Sequence, residues 1–346
     1  MEAKNVMNKD YALNSAPQGT ATQFSVRHID SLLETEIVSV LKWSDASTIY
    51  ICDYGCGMGP NSVAPLTAIV NGVRKMIPEC PIVVVLNDLP ENHFSSLFAS
   101  INTSFESFKK VFFVASGVSF YNQILPENSV HIGYSSSAMH WLSTTPEYAN
   151  GCSFMNAVTD ELQVTKEMAA LDWKRLLTVR CTELVSGGFL FLSNNTTDAV
   201  TDATPIGSFT ALLYEVAKVR MSSTELKAFS IPHYWRTSEE IEDSEILASC
   251  GFRLIRPSIV EDIVDPFVSL LHSNRIDLYA QKIVGCHRSW TEQSVRVALS
   301  VSNDRSPDNI SEELCTFYDL VMKEVMENPN AYALTFKQCF TVLQKL

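Results

Sequence analysis

The chain has 346 residues, of which 46% are hydrophobic and 19% are charged, and its formal net charge is -13. This composition excludes global disorder, and the acidic balance argues against a nucleic-acid partner, because affinity for a phosphate backbone depends on clustered Lys and Arg. No segment approaches the ~18 consecutive apolar residues that a membrane-spanning helix requires, so we expect no membrane partner.

The first half of the chain alternates short apolar runs with helical patterns. Strands are predicted at Thr48–Cys52, Pro81–Leu86, Lys110–Ala115, Val130–Tyr134 and Phe189–Leu192, and helices at Pro65–Met76, His93–Ile101 and Asp160–Leu184. We interpret Ser186-Gly187-Gly188 as the signal that ends the third helix. This alternation predicts an α/β fold with a doubly wound, mostly parallel sheet, which binds ligands at the carboxyl ends of its strands.

The second half has a different pattern. Helices are predicted over Thr201–Ala228, Ser238–Cys250, Ile310–Glu327 and Leu334–Leu346, and late strands over Leu254–Val260 and Ile276–Val284. The segment Phe229-Ser230-Ile231-Pro232 interrupts the first of these helical stretches. We therefore predict an α/β core over residues 1–200 with an N-terminal lid at 1–25. A helical cap would follow over 201–250, and 251–346 would add late strands and C-terminal helices to both.

The cysteines bear on the cellular compartment. All nine are scattered, with no CxxC pair, and the polar N-terminus has no apolar signal core behind it. Reduced thiols that pack in the core of a cytoplasmic protein are the simplest interpretation.

A glycine-rich loop follows the first predicted strand, in the segment Asp53-Tyr54-Gly55-Cys56-Gly57-Met58-Gly59. Glycines at such a position let the backbone approach a ligand closely, although a dinucleotide site or an ordinary tight turn has a similar pattern. The spacing differs from GxGxxG, and the acidic Asp53 comes just before the glycines. An ammonium and a sulfonium prefer nearby carboxylates to a pyrophosphate cradle. These details favour S-adenosylmethionine (SAM) over NAD.

A second acidic residue, Asp88, ends the second predicted strand in Leu86-Asn87-Asp88-Leu89-Pro90. A carboxylate there can accept hydrogen bonds from both hydroxyls of a ribose. Alone, Asp88 would be read as a turn residue. Its pairing with Asp53 favours a cofactor role.

An ordered set of motifs resembles the SABATH family of SAM-dependent methyltransferases. The matching segments are Tyr11 to Gln18, Asp53 to Asn61, Leu86 to Pro90, Ser119 to Tyr121 with Leu125-Pro126, Ser135-Ser136, His140 to Ser143, Gly187-Gly188 and Phe229 to Tyr234, the last similar to FNIPxY. Members methylate small acids such as salicylate, benzoate, jasmonate and indole-acetate, or the nitrogens of xanthines. The resemblance implies a methyl ester of a small apolar carboxylic acid as product, SAM as cofactor and a homodimer as the assembly.

The resemblance also implies roles for residues at the matching positions. SAM would be surrounded by Tyr11, Ser15, Asp53, Gly55, Cys56, Asn61, Asp88, Leu89, Ser119 and Phe120. Gln18 and Trp141 would hold the substrate carboxylate, and His140 would lie against the acceptor. In the cap and C-terminal region, Phe209, Leu212, Val295, Ala298 and Phe340 fall near substrate-contacting positions, although each of these residues also suits an ordinary core.

Methyl transfer to a carboxylate places few chemical demands on the protein. A carboxylic acid with a pKa near ~4 is already ionised at neutral pH, so we expect no general base. Positioning of this kind contributes about 7–11 kcal/mol in favourable cases. Gln18, Trp141 and His140 are therefore the predicted catalytic residues, acting by orientation.

Two departures from the family pattern stand out. Position 137 is Ser where many members have Tyr, which predicts a differently shaped acceptor pocket. Lys227 and Ser230 stand where some members have metal ligands, and Asn150 alone cannot form a site, so we predict no metal.

Three alternatives remain open at this point: an N-methyltransferase of a purine-like ring, a non-catalytic SAM-binding protein and an NAD-dependent oxidoreductase.

Overall fold

The computed structural model describes residues 7, 16–37, 46–198, 205–302 and 304–346. The strands are β1 (Ile49–Tyr54), β2 (Ile82–Asp88), β3 (Val111–Gly117), β4 (Val130–Ser136), β5 (Leu184–Thr196), β6 (Phe252–Leu254), β7 (Ile259–Ile263) and β8 (Phe336–Lys345). The helices of the α/β half are α1 (Ala16–Leu32), α2 (Pro60–Met76), α3 (Phe94–Phe105) and α4 (Thr159–Glu183). Those that follow are α5 (Pro205–Arg220), α6 (Ser223–Ala228), α7 (Ser238–Ile241), α8 (Ser244–Ser249), α9 (Val268–His272), α10 (Ile276–Leu299) and α11 (Pro307–Glu327).

The strands form one eight-stranded sheet in the order β3-β2-β1-β4-β5-β8-β6, with β7 also paired to β8. Strands β1 to β5 pair in parallel, whereas β8 runs antiparallel to β5, β6 and β7. The chain order reverses between β1 and β4, which is the point where a doubly wound sheet opens a crevice at its carboxyl edge. The predicted fold class is therefore confirmed.

The central strands are buried on both faces, as their β-branched sequences predict. Ile49, Ile51, Ile82 and Val84 have no exposed surface. One hydrophobic cluster packs α1, α2 and α3 against one face of the sheet, and another packs α4 against the opposite face through Trp173. This two-sided covering is typical of parallel sheets.

The helical cap has a hydrophobic core of its own. Leu213 of α5, Ile283 of α10 and Phe317 of α11 belong to a cluster separate from those of the sheet, and all three are fully buried. The cap is therefore built from helices on both sides of the break at Phe229–Pro232.

Three element predictions are wrong. Ile276–Val284 is the start of helix α10, because Tyr279, Ala280, Ile283 and Val284 lie on one buried helical face in the cap core. Leu334–Leu346 contains β8, whose backbone hydrogen bonds are satisfied by β5 on one side and by β6 and β7 on the other. Helix α4 already ends at Glu183, and Ser186-Gly187-Gly188 lies inside β5.

Other predictions are confirmed with small shifts of their boundaries. The region Leu254–Val260 divides into the end of β6 and the start of β7, and Ser238–Cys250 divides into α7 and α8. All nine cysteines are free thiols, and seven of them are buried. Within the described ranges, no helix is long and apolar enough to cross a membrane.

Candidate active site

The glycine loop lies at the switch point of the sheet, between β1 and α2. Gly55, Gly57 and Gly59 all have positive φ angles, of 84°, 55° and 101°. A Cβ added to Gly55 would lie 2.4 Å from the Cβ of Ala138. Glycine is therefore required at position 55 both by the backbone conformation and by the neighbouring chain.

Asp88 ties the end of β2 to this loop. Its Oδ2 accepts a hydrogen bond from the backbone N–H of Gly57 at 2.7 Å, and its Oδ1 accepts one from Leu89 at 2.8 Å. Burial raises the pKa of Asp88, and the two N–H donors oppose that rise. Each carboxylate oxygen has a second lone pair that can accept a further hydrogen bond from a ligand hydroxyl.

Asp53, near the end of β1, is 1% exposed, and its Oδ2 has no hydrogen-bond partner among the described residues. Burial raises the pKa of Asp53 to about 7, the hydroxyl of Ser62 opposes this rise, and the carboxylate of Asp88 adds to it. A buried carboxylate oxygen without a partner is unfavourable unless a donor or a cation approaches it. This geometry suits the positively charged end of a ligand.

Two cavities, A and C, border the glycine loop, and a third, cavity B, adjoins them. Cavity A, of about 420 Å³, is lined by Gly55, Asp88, Leu89, Ser119 and Phe120 among others. Cavity B, of about 50 Å³, lies under the cap and is lined by Gln18, His140, Trp141, His233, Trp235, His287 and Trp290 among others. Cavity C, of about 40 Å³, is lined by Gln18, Asp53, Gly55, Cys56 and Asn61 among others.

Ser137 is at the junction, because it lines all three cavities. Its φ of 50° is unusual for a residue other than glycine. The conformation is held by its backbone N–H, which donates to the Ser193 carbonyl at 2.8 Å, and by its hydroxyl, which donates to Asn195 Oδ1 at 3.2 Å. Two ligands in cavities A and B would meet beside Ser137.

The described walls of cavity B are rich in aromatic rings and carry no charge. Of the seven His in the sequence, three line it, namely His140, His233 and His287. Burial lowers the pKa of each to about 3, so all three imidazoles are neutral at physiological pH. No Lys, Arg, Asp or Glu is among the described residues that line this cavity.

Several polar atoms around cavity B have no hydrogen-bond partner in the described part of the chain. They are Gln18 Oε1, His140 Nδ1, Trp235 Nε1 and both ring nitrogens of His287. By contrast, His233 Nε2 is 2.9 Å from Ser153 Oγ. Unpaired polar atoms around a cavity are suited to binding a polar ligand.

The structure brings most predicted site residues to these cavities. Those predicted to bind the cofactor line cavity A or C, except Tyr11 and Ser15, which lie outside the described residues. Gln18, His140 and Trp141 line cavity B, and Trp141 also lines cavity A.

The other residues predicted to contact the substrate lie away from these cavities. Phe209, Leu212, Val295 and Ala298 pack in the core of the cap, and Phe340 packs in the sheet core against Phe24 and His28. None of the five lines cavity A, B or C. They were predicted because they are apolar and lie near substrate-contacting positions of the family. Residues of an ordinary core are apolar as well. Phe209 nevertheless contacts the wall of cavity B, because its ring stacks on that of His287.

Sequence reasoning missed His287 and Trp290 because the start of α10 was read as a strand. Their i, i+3 spacing on a helix that continues to Leu299 would have placed both side chains on one face. Trp235 was also missed, although it directly follows the segment Phe229 to Tyr234 that was singled out.

A buried ion pair holds the wall of cavity A. The Nη2 of Arg180 is 3.0 Å from Oε1 of Glu183, and neither side chain is exposed. Arg180 also donates to the carbonyls of Phe120 and Asn122, both at 2.8 Å. Glu183 accepts from the hydroxyl of Tyr54 and from the backbone of Leu125. The pair therefore fixes the loop that presents Ser119 and Phe120.

The positions compared with metal ligands are not grouped as a metal site. Lys227 is exposed on α6, and Ser230 is buried. Across the residues that the structure describes, no group of three or more His, Cys, Asp or Glu is arranged to hold a metal ion.

The chain is similar to several known proteins. The family described as SAM dependent carboxyl methyltransferase matches residues 4–345. A probable S-adenosylmethionine-dependent methyltransferase of Arabidopsis thaliana is 32% identical over 220 residues, which are 55% of this chain and 59% of that protein. The jasmonate O-methyltransferase of the same plant is 29% identical, with 67% of this chain and 69% of the relative covered.

Two further similarities concern the acceptor and the fold. A probable 7-methylxanthine methyltransferase of Theobroma cacao is 28% identical over 68% of this chain and 72% of its own. The solved structure of a loganic acid methyltransferase with SAH has a TM-score of 0.76 and 20% identity, covering 99% of this chain and 98% of that one. At this identity the match establishes the fold.

Proposed function

The chain belongs to the family of SAM-dependent carboxyl methyltransferases, with SAM as its cofactor, and from this premise we propose that it forms the methyl ester of a compact carboxylic acid bound in cavity B. The observation that carries the proposal is the meeting of the three cavities at Ser137, with Trp141 in the walls of both A and B. A methyl donor bound in cavity A and an acceptor bound in cavity B would therefore meet beside Ser137.

The residues around cavities A and C fit SAM. The unpaired Asp53 oxygen suits its ammonium, and the carboxylate of Asp88 suits the ribose hydroxyls. Phe120 offers a ring face for the adenine. Gly55, Gly57 and Gly59 line cavity C without side chains of their own. When bound, SAM supplies a methyl group on a sulfonium, which is transferred without a redox change.

The proposed role of Gln18 and Trp141 is to orient the acid by neutral hydrogen bonds. The Gln amide and the Trp indole N–H are both uncharged donors. A Lys or Arg would stabilise the ground-state charge that the reaction consumes, and cavity B has no such residue among its described walls. Because the acid is already ionised at neutral pH, its carboxylate needs no general base.

The neutral histidines favour the same chemistry. With pKa values lowered to about 3, His140 and His287 carry no charge that would compete for the carboxylate as an ion pair. We propose that His140 shapes the acceptor pocket beside Trp141, whose ring centroid is 5.2 Å away. The cytoplasmic location, inferred from the cysteines, and the homodimer, implied by the resemblance, stay predictions.

The orientation role is tested with Gln18→Glu and Trp141→Phe. The first places a negative charge against the acid, and the second removes one N–H donor but keeps an aromatic ring. We expect kcat/KM for the acid to fall about 10- to 100-fold in each variant, as the loss of a hydrogen bond to a charged group would cause. Because Gln18 also lines cavity C and Trp141 also lines cavity A, the dissociation constant for SAM is measured in parallel and should change less than kcat/KM for the acid.

Trp173→Phe is the matched control, because Trp173 is buried under the sheet and lines none of the three cavities. It should keep the wild-type kcat/KM. Wild-type kcat/KM in Gln18→Glu or Trp141→Phe would show that the acid is held elsewhere.

A further inference from the structure

We propose that two buried charged side chains, those of Arg236 and Asp172, are positioning residues. They hold the two ends of the segment 139–143 and thereby fix the indole of Trp141 between cavities A and B. Neither residue lines any of the three cavities. The inference rests on the proposed function in one respect, because it takes Trp141 as the group that orients the acceptor.

Arg236 holds the first end of the segment. Its side chain is buried, and Nη1 donates a hydrogen bond to the carbonyl of Met139 at 2.9 Å. Nη2 donates to the carbonyl of Ala169 in α4 at 2.6 Å, so the guanidinium connects the loop after β4 to that helix. The guanidinium carbon also lies 5.3 Å from the ring centroid of Trp173, a ring face that a phenylalanine there would keep.

Asp172 holds the second end. This buried residue of α4 accepts hydrogen bonds from Ser143, through Oδ2 from the backbone N–H at 2.7 Å and through Oδ1 from the hydroxyl at 2.6 Å. Ala169 and Asp172 are three positions apart and therefore neighbours on the helix. One turn of α4 consequently anchors both ends of the segment.

Neutral hydrogen bonds hold the residues between the two ends. The carbonyl of His140 accepts from the backbone N–H of Tyr234 at 2.9 Å, and the carbonyl of Trp141 accepts from the hydroxyl of Tyr121 at 2.7 Å. The N–H of Leu142 donates to a backbone carbonyl at 2.8 Å. Each residue from 139 to 143 therefore has a backbone group held by a part of the chain distant in sequence.

Stability alone does not account for charges at these two positions. The described hydrogen-bond partners of Arg236 and Asp172 are neutral groups, and Nε of Arg236 has no partner among the described residues. Burying a charge without a counter-ion costs several kcal/mol, and neutral side chains could serve the same backbone groups at a lower cost.

A charge adds strength to the hydrogen bonds that it makes. Hydrogen bonds of a charged group are shorter and about twice as strong as neutral ones, so the segment 139–143 is held more firmly. Firm positioning matters for a residue that orients a reactant, because a misplacement of about 1 Å can cost on the order of 100-fold in rate.

The test uses Arg236→Gln and Asp172→Asn in the full-length protein. The Gln amide cannot reach both carbonyls, and the Asn amide leaves one Ser143 donor without an acceptor. With methyl-labelled SAM and the best acid among benzoate, salicylate, indole-acetate and jasmonate, kcat should fall about tenfold in Arg236→Gln and about threefold in Asp172→Asn. The KM for the acid should change less than kcat.

The position of the Trp141 indole is measured separately, by fluorine NMR of protein that contains 5-fluorotryptophan. The Trp141 resonance is assigned from its absence in Trp141→Phe. It should shift or broaden in Arg236→Gln and in Asp172→Asn, and this measurement requires no acceptor.

Arg74→Gln is the matched control. The guanidinium of Arg74 also holds backbone carbonyls, among them those of Lys109 and Lys110 at 2.9 and 3.1 Å, and the residue lines none of the three cavities. This variant should lose stability but keep the wild-type kcat and an unchanged Trp141 resonance. If Arg236→Gln does not fold, Asp172→Asn and the control decide the matter.

The outcomes separate this inference from the function on which it rests. A wild-type kcat with an unchanged Trp141 resonance in Asp172→Asn and Arg236→Gln, or an equal fall of kcat in Arg74→Gln, would overturn the positioning role. A shifted Trp141 resonance in a protein that methylates a nitrogen heterocycle and no acid would support the positioning role and overturn the proposed function.

Discussion

The carboxylate of Asp88 accepts a hydrogen bond from the backbone N–H of Gly57 at 2.7 Å, so the end of β2 and the glycine loop after β1 are held as one unit. The parallel register of the two strands, with Tyr54 opposite Asn87, brings these ends together. We propose that the loop and the acidic strand end jointly form one half of the SAM site.

Replacing Asp88 by Asn should raise the dissociation constant for SAM at least tenfold. The amide keeps the size of the side chain, but its NH2 group cannot accept a hydrogen bond, so either the Gly57 N–H or a ribose hydroxyl loses its acceptor. Isothermal titration calorimetry measures the change. Glu127→Gln, which removes one negative charge at an exposed position, is the control and should bind SAM as the wild type does. Equal affinities for the two variants would rule out a ribose role for Asp88.

The affinity for SAM should decrease as the pH falls below about 7. Burial raises the pKa of Asp53 to about 7 in the SAM-free protein, and only the ionised carboxylate attracts the ammonium of SAM. Below this value the affinity should fall by up to tenfold per pH unit. In Asp53→Asn the affinity should be lower at pH 8 and almost flat with pH. An unchanged slope in that variant would assign the titration to another group.

The same shift has the opposite sign for stability. Because the folded, SAM-free protein holds the Asp53 proton more tightly than the unfolded chain, the contribution of this residue to stability is lost as the pH rises from 3.8 to about 7. Saturation with SAM should reverse the trend in Tm over this range.

Arg180→Met should destabilise the fold by about 3–5 kcal/mol, because it leaves Glu183 buried without its cation. The affinity for SAM should fall as well, since Arg180 holds the carbonyls of Phe120 and Asn122. Denaturant unfolding and calorimetry measure the two effects. The double variant Arg180→Met/Glu183→Leu should recover stability, because no charge stays buried, but should not recover the affinity. Recovery of both would show that Arg180→Met weakens SAM binding only by destabilising the fold.

The sequence predicted the parallel half of the fold well, for a physical reason. Runs such as Ile82 to Leu86 are apolar at successive positions and rich in Val and Ile, which favours a short strand covered on both faces. The roles of the glycine loop and Asp88 were predictable because closely spaced glycines and an acidic residue at a strand end are local sequence patterns.

The errors arose where tertiary contacts decide the structure. The apolar segment Ile276–Val284 is compatible with either a buried strand or a helix face, and packing against α5 and α11 selects the helix. The segment Phe336–Lys345 forms a strand because it pairs with β5 on one side and with β6 and β7 on the other. No local sequence pattern contains that information.

The proposed acceptor site was the least predictable part for the same reason. Gln18 comes from α1, Trp141 from the loop after β4 and His287 from α10. In the sequence, each resembles an ordinary core or surface residue. Only the packing of the cap on the sheet brings the three to one cavity. The pairing of His287 with Phe209 has no local signature, because the two residues are 78 positions apart in the sequence.

The most direct test of the central claim is the chemical nature of the methylated product. The full-length protein is incubated with methyl-labelled SAM and a panel of carboxylic acids and xanthines, and the labelled product is treated with mild base. We predict label transfer to an acid and its release as methanol, as a methyl ester requires. A base-stable label on a nitrogen, with no acid methylated, would contradict the account.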